Sequence, residues 1–276
     1  MKVFGPLGKG ETLLFVHGAL SDGQMWEPHM QIAAEHFQSL SYTQRFFGEG
    51  NPQAAPQTKA FGVADHAADL MRLIESLNRT KVHLVGWSYG ADVCLAAAAL
   101  IPERIASIFA YEPGQSVYFD DADSLARYTQ DIKQAFSGAF AASQAGDWAL
   151  AARQLIDASA QESGYFEAQP EAVKAIQQRN FNSLPLQLNQ VKWEDRHSLQ
   201  ALNAWGMSIT LAYGEDSRLF FKEATKAAAK WIRISQLAEL PNATHMLPLE
   251  DPETFMRAIL HPQHLNAKPH PEALLD

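Results

Sequence analysis

Ser88 stands midway between two glycines in Gly86-Trp87-Ser88-Tyr89-Gly90, and that spacing is the sharpest chemical signal in the chain. A short apolar, β-branched run precedes it and an alanine-rich stretch follows from Ala91. A serine on a tight strand-to-helix turn sits in a strained backbone conformation with its hydroxyl projecting above the sheet. Glycines two residues to either side let strand and helix approach without a β-carbon between them. The amide of Tyr89, at the helix start, is then placed to donate to a developing oxyanion. Such a serine suits nucleophilic attack on an acyl carbon. Its hydroxyl must lose a proton during attack and the leaving group must receive one, and a neutral imidazole near pH 7 does both. By composition alone the five-residue pattern turns up in about one chain in twenty of this size, so its specificity comes from the strand–turn–helix setting.

The elements needed to position that serine are legible as well. Strands are expected at Thr12–Val16, 37–43, Val82–Trp87, Ile105–Tyr111, 207–213 and 231–237. Several are short and apolar, as in parallel strands covered on both faces. Helices are expected over 65–77, where Ala68, Leu70, Leu73, Ile74 and Leu77 share a face, over 91–100 up to Pro102, and over 254–260. Strands alternating with helices imply βαβ units and a parallel sheet, an α/β class with a mostly parallel, doubly wound sheet. From about 116 to 204 the patterns are helix-like without a convincing strand, broken by Gly138, Gly146, Gly164, Pro170 and Pro185. The economical division is a core of residues 1–115 and 205–262, a helical insertion at 116–204, and a polar, flexible tail at 263–276.

With these residues in place the chain resembles the α/β-hydrolases over about residues 10 to 260. His17-Gly18-Ala19, after the first strong strand, is similar to the oxyanion loop of that family, which implies a second donor at the amide of Ala19 beside that of Tyr89. The family also carries a loop histidine after the sixth strand, here His245 in Pro241-Asn242-Ala243-Thr244-His245-Met246. His17 is usually structural in such proteins, and His66 and His83 lie on a helix and a strand. The acid has two candidate places. The loop after the fifth strand commonly holds an aspartate three residues after its glycine; here that slot is Ser217, with Asp216 one residue early and Glu215 two. The other place is the end of the preceding strand, where Glu112 stands in Tyr111-Glu112-Pro113. A strand-end carboxylate at the edge where function concentrates in parallel sheets, and an aspartate in the next loop, both remain open.

The resemblance implies an acyl-enzyme mechanism through Ser88, His245 and one of these acids, with the insertion acting as a cap that shapes the pocket. Trp26, Phe46, Phe47, Trp87, Tyr118, Phe119 and Met246 are expected walls and suggest an apolar acyl or aromatic substrate, and Arg45 is a candidate partner for a carboxylate. The leading expectation is a serine hydrolase acting on a small carboxylic ester. Carbon–carbon bond hydrolysis or cofactor-free oxidation on the same fold is an alternative, and a weakly catalytic small-molecule sensor is another, to which the serine at 217 lends support. Haloalkane dehalogenases and epoxide hydrolases resembling this fold use an aspartate where Ser88 stands. Only about ten residues precede the first strong strand, so the family's N-terminal antiparallel hairpin is expected to be shortened or missing, and residues 43–48 lack the Asp-x-Arg-Gly pattern of many relatives.

Composition bounds the partners. A net charge of −9 with both signs dispersed argues against nucleic acid and against an anionic membrane surface. The single cysteine, Cys94, rules out an internal disulfide, and no apolar run approaches the roughly 20 residues that span a bilayer, so a cytoplasmic monomer or homodimer with a small-molecule substrate is expected. No phosphate loop, cysteine pair or metal-ligand cluster is seen, so neither cofactor nor metal is expected. His261, His264 and His270 are read as part of the solvated tail and not as a metal tract.

Overall fold

The computed structural model describes residues 1–49 and 61–268. Its eight strands are β1 (Lys2–Leu7), β2 (Thr12–Val16), β3 (Gln38–Thr43), β4 (Val82–Trp87), β5 (Ile105–Tyr111), β6 (Ser208–Gly214), β7 (Gln236–Leu240) and β8 (Asn266–Lys268), forming one sheet in the order β1-β3-β2-β4-β5-β6-β7-β8. The six inner strands are parallel, and β1 and β8 close the edges antiparallel. After β3 the chain crosses to the far side of β2, so the winding reverses between β2 and β4. Loops leaving the carboxyl ends of those two strands diverge around a crevice, the usual binding place in an open parallel sheet.

Every residue of β2 is buried, and its side chains alternate: Leu14 and Val16 join one core cluster, Leu13 and Phe15 the other. Helices α1 (Glu27–Ala33), α2 (Val63–Ser76) and α3 (Tyr89–Leu100) cover the N-terminal half of the sheet. Between β5 and β6 lie α4 (Ala122–Ala135), α5 (Ser137–Gln144), α6 (Trp148–Ala160), α7 (Tyr165–Ala168), α8 (Glu171–Arg179) and α9 (Leu184–Leu188), with no strand. The chain then adds α10 (Leu219–Trp231), α11 (Leu247–Glu250) and α12 (Pro252–Leu260). α2, α3 and α10 pack on one sheet face, α1 and α12 on the other. Among the described residues no helix is long and apolar enough to cross a membrane.

Antiparallel pairing at the N-terminus is reduced to the single edge strand β1 on β3, in keeping with the shortened hairpin expected there; β1 is mostly exposed, so no buried run marks it. Two expectations are corrected. The strand expected at 231–237 begins only at Gln236, because the alanine-rich segment ending at Trp231 buries Ala224, Ala227 and Ala228 as helix α10 and a turn at Ile232–Ser235 intervenes. The supposed tail from 263 contributes β8, paired to β7 through Asn266↔Glu239 and Lys268↔Leu237. The remainder of that tail, with His270, lies outside the described residues.

Candidate active site

Ser88 occupies the turn between β4 and α3 with φ 54° and ψ −125°, a left-handed conformation rare for a residue with a β-carbon. Its N–H donates to the Tyr111 carbonyl at 2.8 Å, and its carbonyl accepts from Ala91 at the same distance, so both neighbouring elements hold the strain in place. The flanking glycines allow this. A β-carbon on Gly90 would lie 2.3 Å from the Val16 carbonyl oxygen, and one on Gly86 would lie 2.6 Å from the Ala91 Cα. In the first turn of α3 the Ala91 and Asp92 amides turn back to the Ser88 carbonyl, while that of Tyr89 has no helical carbonyl one turn back and is left for a donor role at the helix start.

His245 lies in the loop after β7 and is buried. Its Nδ1 is 2.6 Å from Oε2 of Glu112, a fully buried carboxylate directly following β5. The other carboxylate oxygen, Oε1, accepts from the Gly214 N–H at 2.7 Å. Glu112 also sits in the left-handed region, φ 53°, and its own N–H donates to Ala212. The imidazole ring lies parallel to Phe221, centroids 3.6 Å apart. Strand-end side chains tie down the main chain around it: Trp87 Nε1–H donates to the His245 carbonyl at 2.9 Å and the Tyr111 hydroxyl to that of Thr244 at 2.7 Å. Because the carboxylate faces Nδ1, Nδ1 carries the hydrogen and Nε2 is left as the acceptor, the tautomer a general base needs.

Ser88 and His245 line one cavity of about 230 Å³, together with Ala19, Tyr89, Trp87 and Met246 from the sheet edge and Ile132, Phe136, Leu155, Ile156 and Ser159 from the insertion. Of the two acids, the structure brings Glu112 to the histidine. Asp216 is exposed and engages through its backbone, its N–H donating to Ala243 and its carbonyl accepting from Gln161. Five expected walls lie elsewhere. Trp26 is fully buried beneath the loop, stacked on Phe15 and Phe255. Phe46 and Phe47 line a separate cavity near the N-terminus and pack on Phe61. Tyr118 is fully buried and donates its hydroxyl to Asp92 at 2.6 Å, while Phe119 packs on Tyr128. In each case residue type correctly indicated burial but not the side from which it happens. Arg45 is held by Asp69 in a two-pronged pair at 2.6 and 2.7 Å.

Two neighbours of the site escaped sequence reasoning. Phe221 opens α10, in an aromatic pair with Phe220 just after the β6 loop, and that adjacency was available as a signal. Asp92 lines the cavity one turn after Ser88, a charged residue in the otherwise apolar run of α3. Burial pushes its carboxyl up to about 7, against the Tyr118 hydroxyl and the Gly114 N–H, which favour the charged form. His17 supports the site from behind: Gln44 N–H donates to its Nε2 at 3.0 Å and its Nδ1 donates to the Gly18 carbonyl at 2.8 Å, with burial pushing its pKa down to about 4. The Tyr89 hydroxyl donates likewise to the buried His66 at 2.7 Å.

A model of the alpha/beta hydrolase fold family matches residues 11–252. The chain belongs to that family. Among curated members it is similar to a 2-(acetamidomethylene)succinate hydrolase of Mesorhizobium japonicum, 33% identical over 105 residues, which are 38% of this chain and 36% of the relative. The chain thus matches little more than a third of the length of the curated relatives it resembles, 36% to 38%. Solved structures of the alpha/beta hydrolase fold align far more fully. An enol-lactonase from Burkholderia xenovorans superposes with a TM-score of 0.69 at 15% identity, covering 94% of each chain. A thermophilic esterase from Thermogutta terrifontis does so with a TM-score of 0.66 at 23% identity, covering 93% of this chain and 90% of the other. At such identities the likeness shows the fold.

Proposed function

We propose that this alpha/beta hydrolase is a serine hydrolase that cleaves a small carboxylic ester or related acyl substrate through Ser88, His245 and Glu112. The observation that carries this reading is the 2.6 Å contact between His245 Nδ1 and a fully buried carboxylate, made by a histidine that shares its cavity with a serine in the left-handed region. The relatives named as hydrolases, an esterase and an enol-lactonase among them, support the same chemistry. So does the mainly apolar lining, which excludes water and suits an acyl chain.

In this mechanism Ser88 Oγ attacks the acyl carbon while His245 Nε2 takes its proton. Glu112 holds the imidazole and stabilises the imidazolium without itself taking the proton. The oxyanion rests on the amides of Ala19 and Tyr89, each such donor worth about 2.7–4 kcal/mol in comparable sites. Collapse expels the alcohol, which receives the proton from His245, and leaves Ser88 acylated. A water then loses its proton to His245, attacks the acyl carbon and releases the acid, returning the proton to Ser88. The sensor alternative drew its support from the serine at 217, and the Glu112 contact supplies the missing carboxylate from another strand.

Intact-mass spectrometry after fluorophosphonate treatment tests the assignment. One adduct is expected on the wild type and none on Ser88→Ala or His245→Ala. A folded wild type that takes no adduct would overturn the reading.

A further inference from the structure

Hydrogen-bonding groups in the Ser88 cavity are unevenly supplied. Asp92 follows Ser88 by one helical turn, and side chains on a helix lean towards its N-terminus, so the carboxylate is carried back towards the serine. It is 1% exposed and borders the cavity. Oδ1 accepts from the Tyr118 hydroxyl at 2.6 Å and from the Gly114 N–H at 3.1 Å, Oδ2 has a longer, 3.3 Å contact to the same N–H, and the Gln115 backbone and side chain also act on the carboxylate. The 3.3 Å contact to Oδ2 is long, so a ligand donor at ordinary hydrogen-bond distance can compete for that oxygen. Gln190 borders the same cavity, and its Oε1 is buried with no hydrogen-bond partner. A buried acceptor without a donor is costly, and a ligand that supplies the donor removes that cost. Among the described residues lining the cavity there is neither lysine nor arginine. A carboxylate on the substrate would therefore meet no cation and would be buried beside a like charge.

We propose that this cavity selects acyl substrates carrying an N–H or O–H donor and no carboxylate, with Asp92 and Gln190 as the specificity-determining residues that receive the donors. The inference rests on the serine-hydrolase reading of the same site and adds the substrate class. A hydroxyl or ammonium bound at Asp92 favours the ionised carboxylate, so the gain on binding includes relief of its burial. A substrate of the same length ending in methyl leaves the Gln190 acceptor unsatisfied and brings Asp92 no further donor, and this is the kind of mismatch against which a polar site discriminates strongly.

The test compares aryl esters of equal chain length ending in methyl, hydroxyl, ammonium or carboxylate. kcat/KM is measured for wild type, Asp92→Asn and Gln190→Leu at about pH 8, above the value at which Asp92 ionises, with fluorophosphonate labelling of Ser88 followed in parallel. Asparagine keeps an acceptor for Tyr118 and Gly114, so Asp92→Asn removes charge with little change in shape. The wild type is expected to prefer the hydroxyl and ammonium esters over the carboxylate ester by at least about tenfold. Asp92→Asn should lower that preference about tenfold, and Gln190→Leu should lower the hydroxyl-to-methyl ratio by about fivefold. If Ser88 is labelled but the carboxylate ester is turned over as fast as the hydroxyl ester, or neither variant shifts its ratio, the donor inference is overturned. Unlabelled Ser88 with all esters inert would instead remove the serine-hydrolase reading beneath it.

Discussion

Glu112 and Asp216 are separable by a pair of conservative experiments, because the structure gives them such different surroundings. Glu112 is fully buried, bonded to Gly214 and to His245; Asp216 faces solvent. Glu112→Gln keeps the shape but presents an amide where the imidazolium needs a charge, and is expected to lower kcat by about 10³–10⁴-fold. Asp216→Ala should stay within about twofold of wild type, as exposed substitutions away from a site usually do. Steady-state rates on one ester decide between them. Ser88 was legible from the glycines around it and His245 through the family resemblance, and the structure places the two in one cavity. The acid was legible only as a choice between a favoured strand-end glutamate and a loop aspartate, since sequence does not say which of the two reaches the imidazole. Trp26 and Tyr118 show the same limit: aromatic type announces burial, whereas the face of the sheet that receives the ring depends on packing between distant elements.

Between β4 and α3, two glycines determine how closely the elements can pass. Gly90 brings the first turn of α3 against β2, and its missing β-carbon would meet the Val16 and His17 carbonyl oxygens at 2.3 and 2.5 Å. Both are backbone atoms and cannot swing aside. Gly90→Ala is expected to destabilise the fold by about 3 kcal/mol, read as a fall in the urea midpoint, and to abolish labelling of Ser88 as the helix N-terminus is pushed outwards. Elements with strong periodicity, such as β4, β5 and α3, were readable to within two residues. The edge strands β1 and β8 were not, because a strand that packs little apolar surface leaves little pattern behind.

Across the whole molecule, three buried histidines act together on stability. Burial pushes His17 down to about 4, His29 to about 3 and His66 to about 4, from an ordinary 6.5. Between these values and 6.5 the unfolded chain binds protons that the folded one does not, so stability falls as pH drops from about 6.5 towards 4. Asp92 acts in the opposite sense. Its carboxyl, raised from 3.8 to about 7, keeps its proton in the folded chain where the unfolded residue has lost it, so this group favours folding increasingly as pH falls through 7. Three groups against one predict a lower urea midpoint at about pH 5 than at about pH 7, with a steeper loss in Asp92→Asn. An unchanged or rising midpoint on acidification would contradict this.

β5 and β6 pair residue for residue from Ser107↔Ser208 to Tyr111↔Ala212, although the six helices α4–α9 intervene in the chain between them. Because the two strands are parallel, the insertion leaves from the carboxyl end of β5 and must return to the opposite rim, where β6 begins one strand over. The six helices make no ladder hydrogen bond themselves, so the segment's length can change while β5 and β6 keep their register. The chain then reads as two texts of unequal freedom: a frame that keeps Glu112 against His245 and Ser88 in their cavity, and a cover moored to it by side chains such as Tyr118 on Asp92. A chimera carrying a foreign cover on these two ends is expected to exchange Gln190 while keeping Asp92, and so to change its appetite only in part.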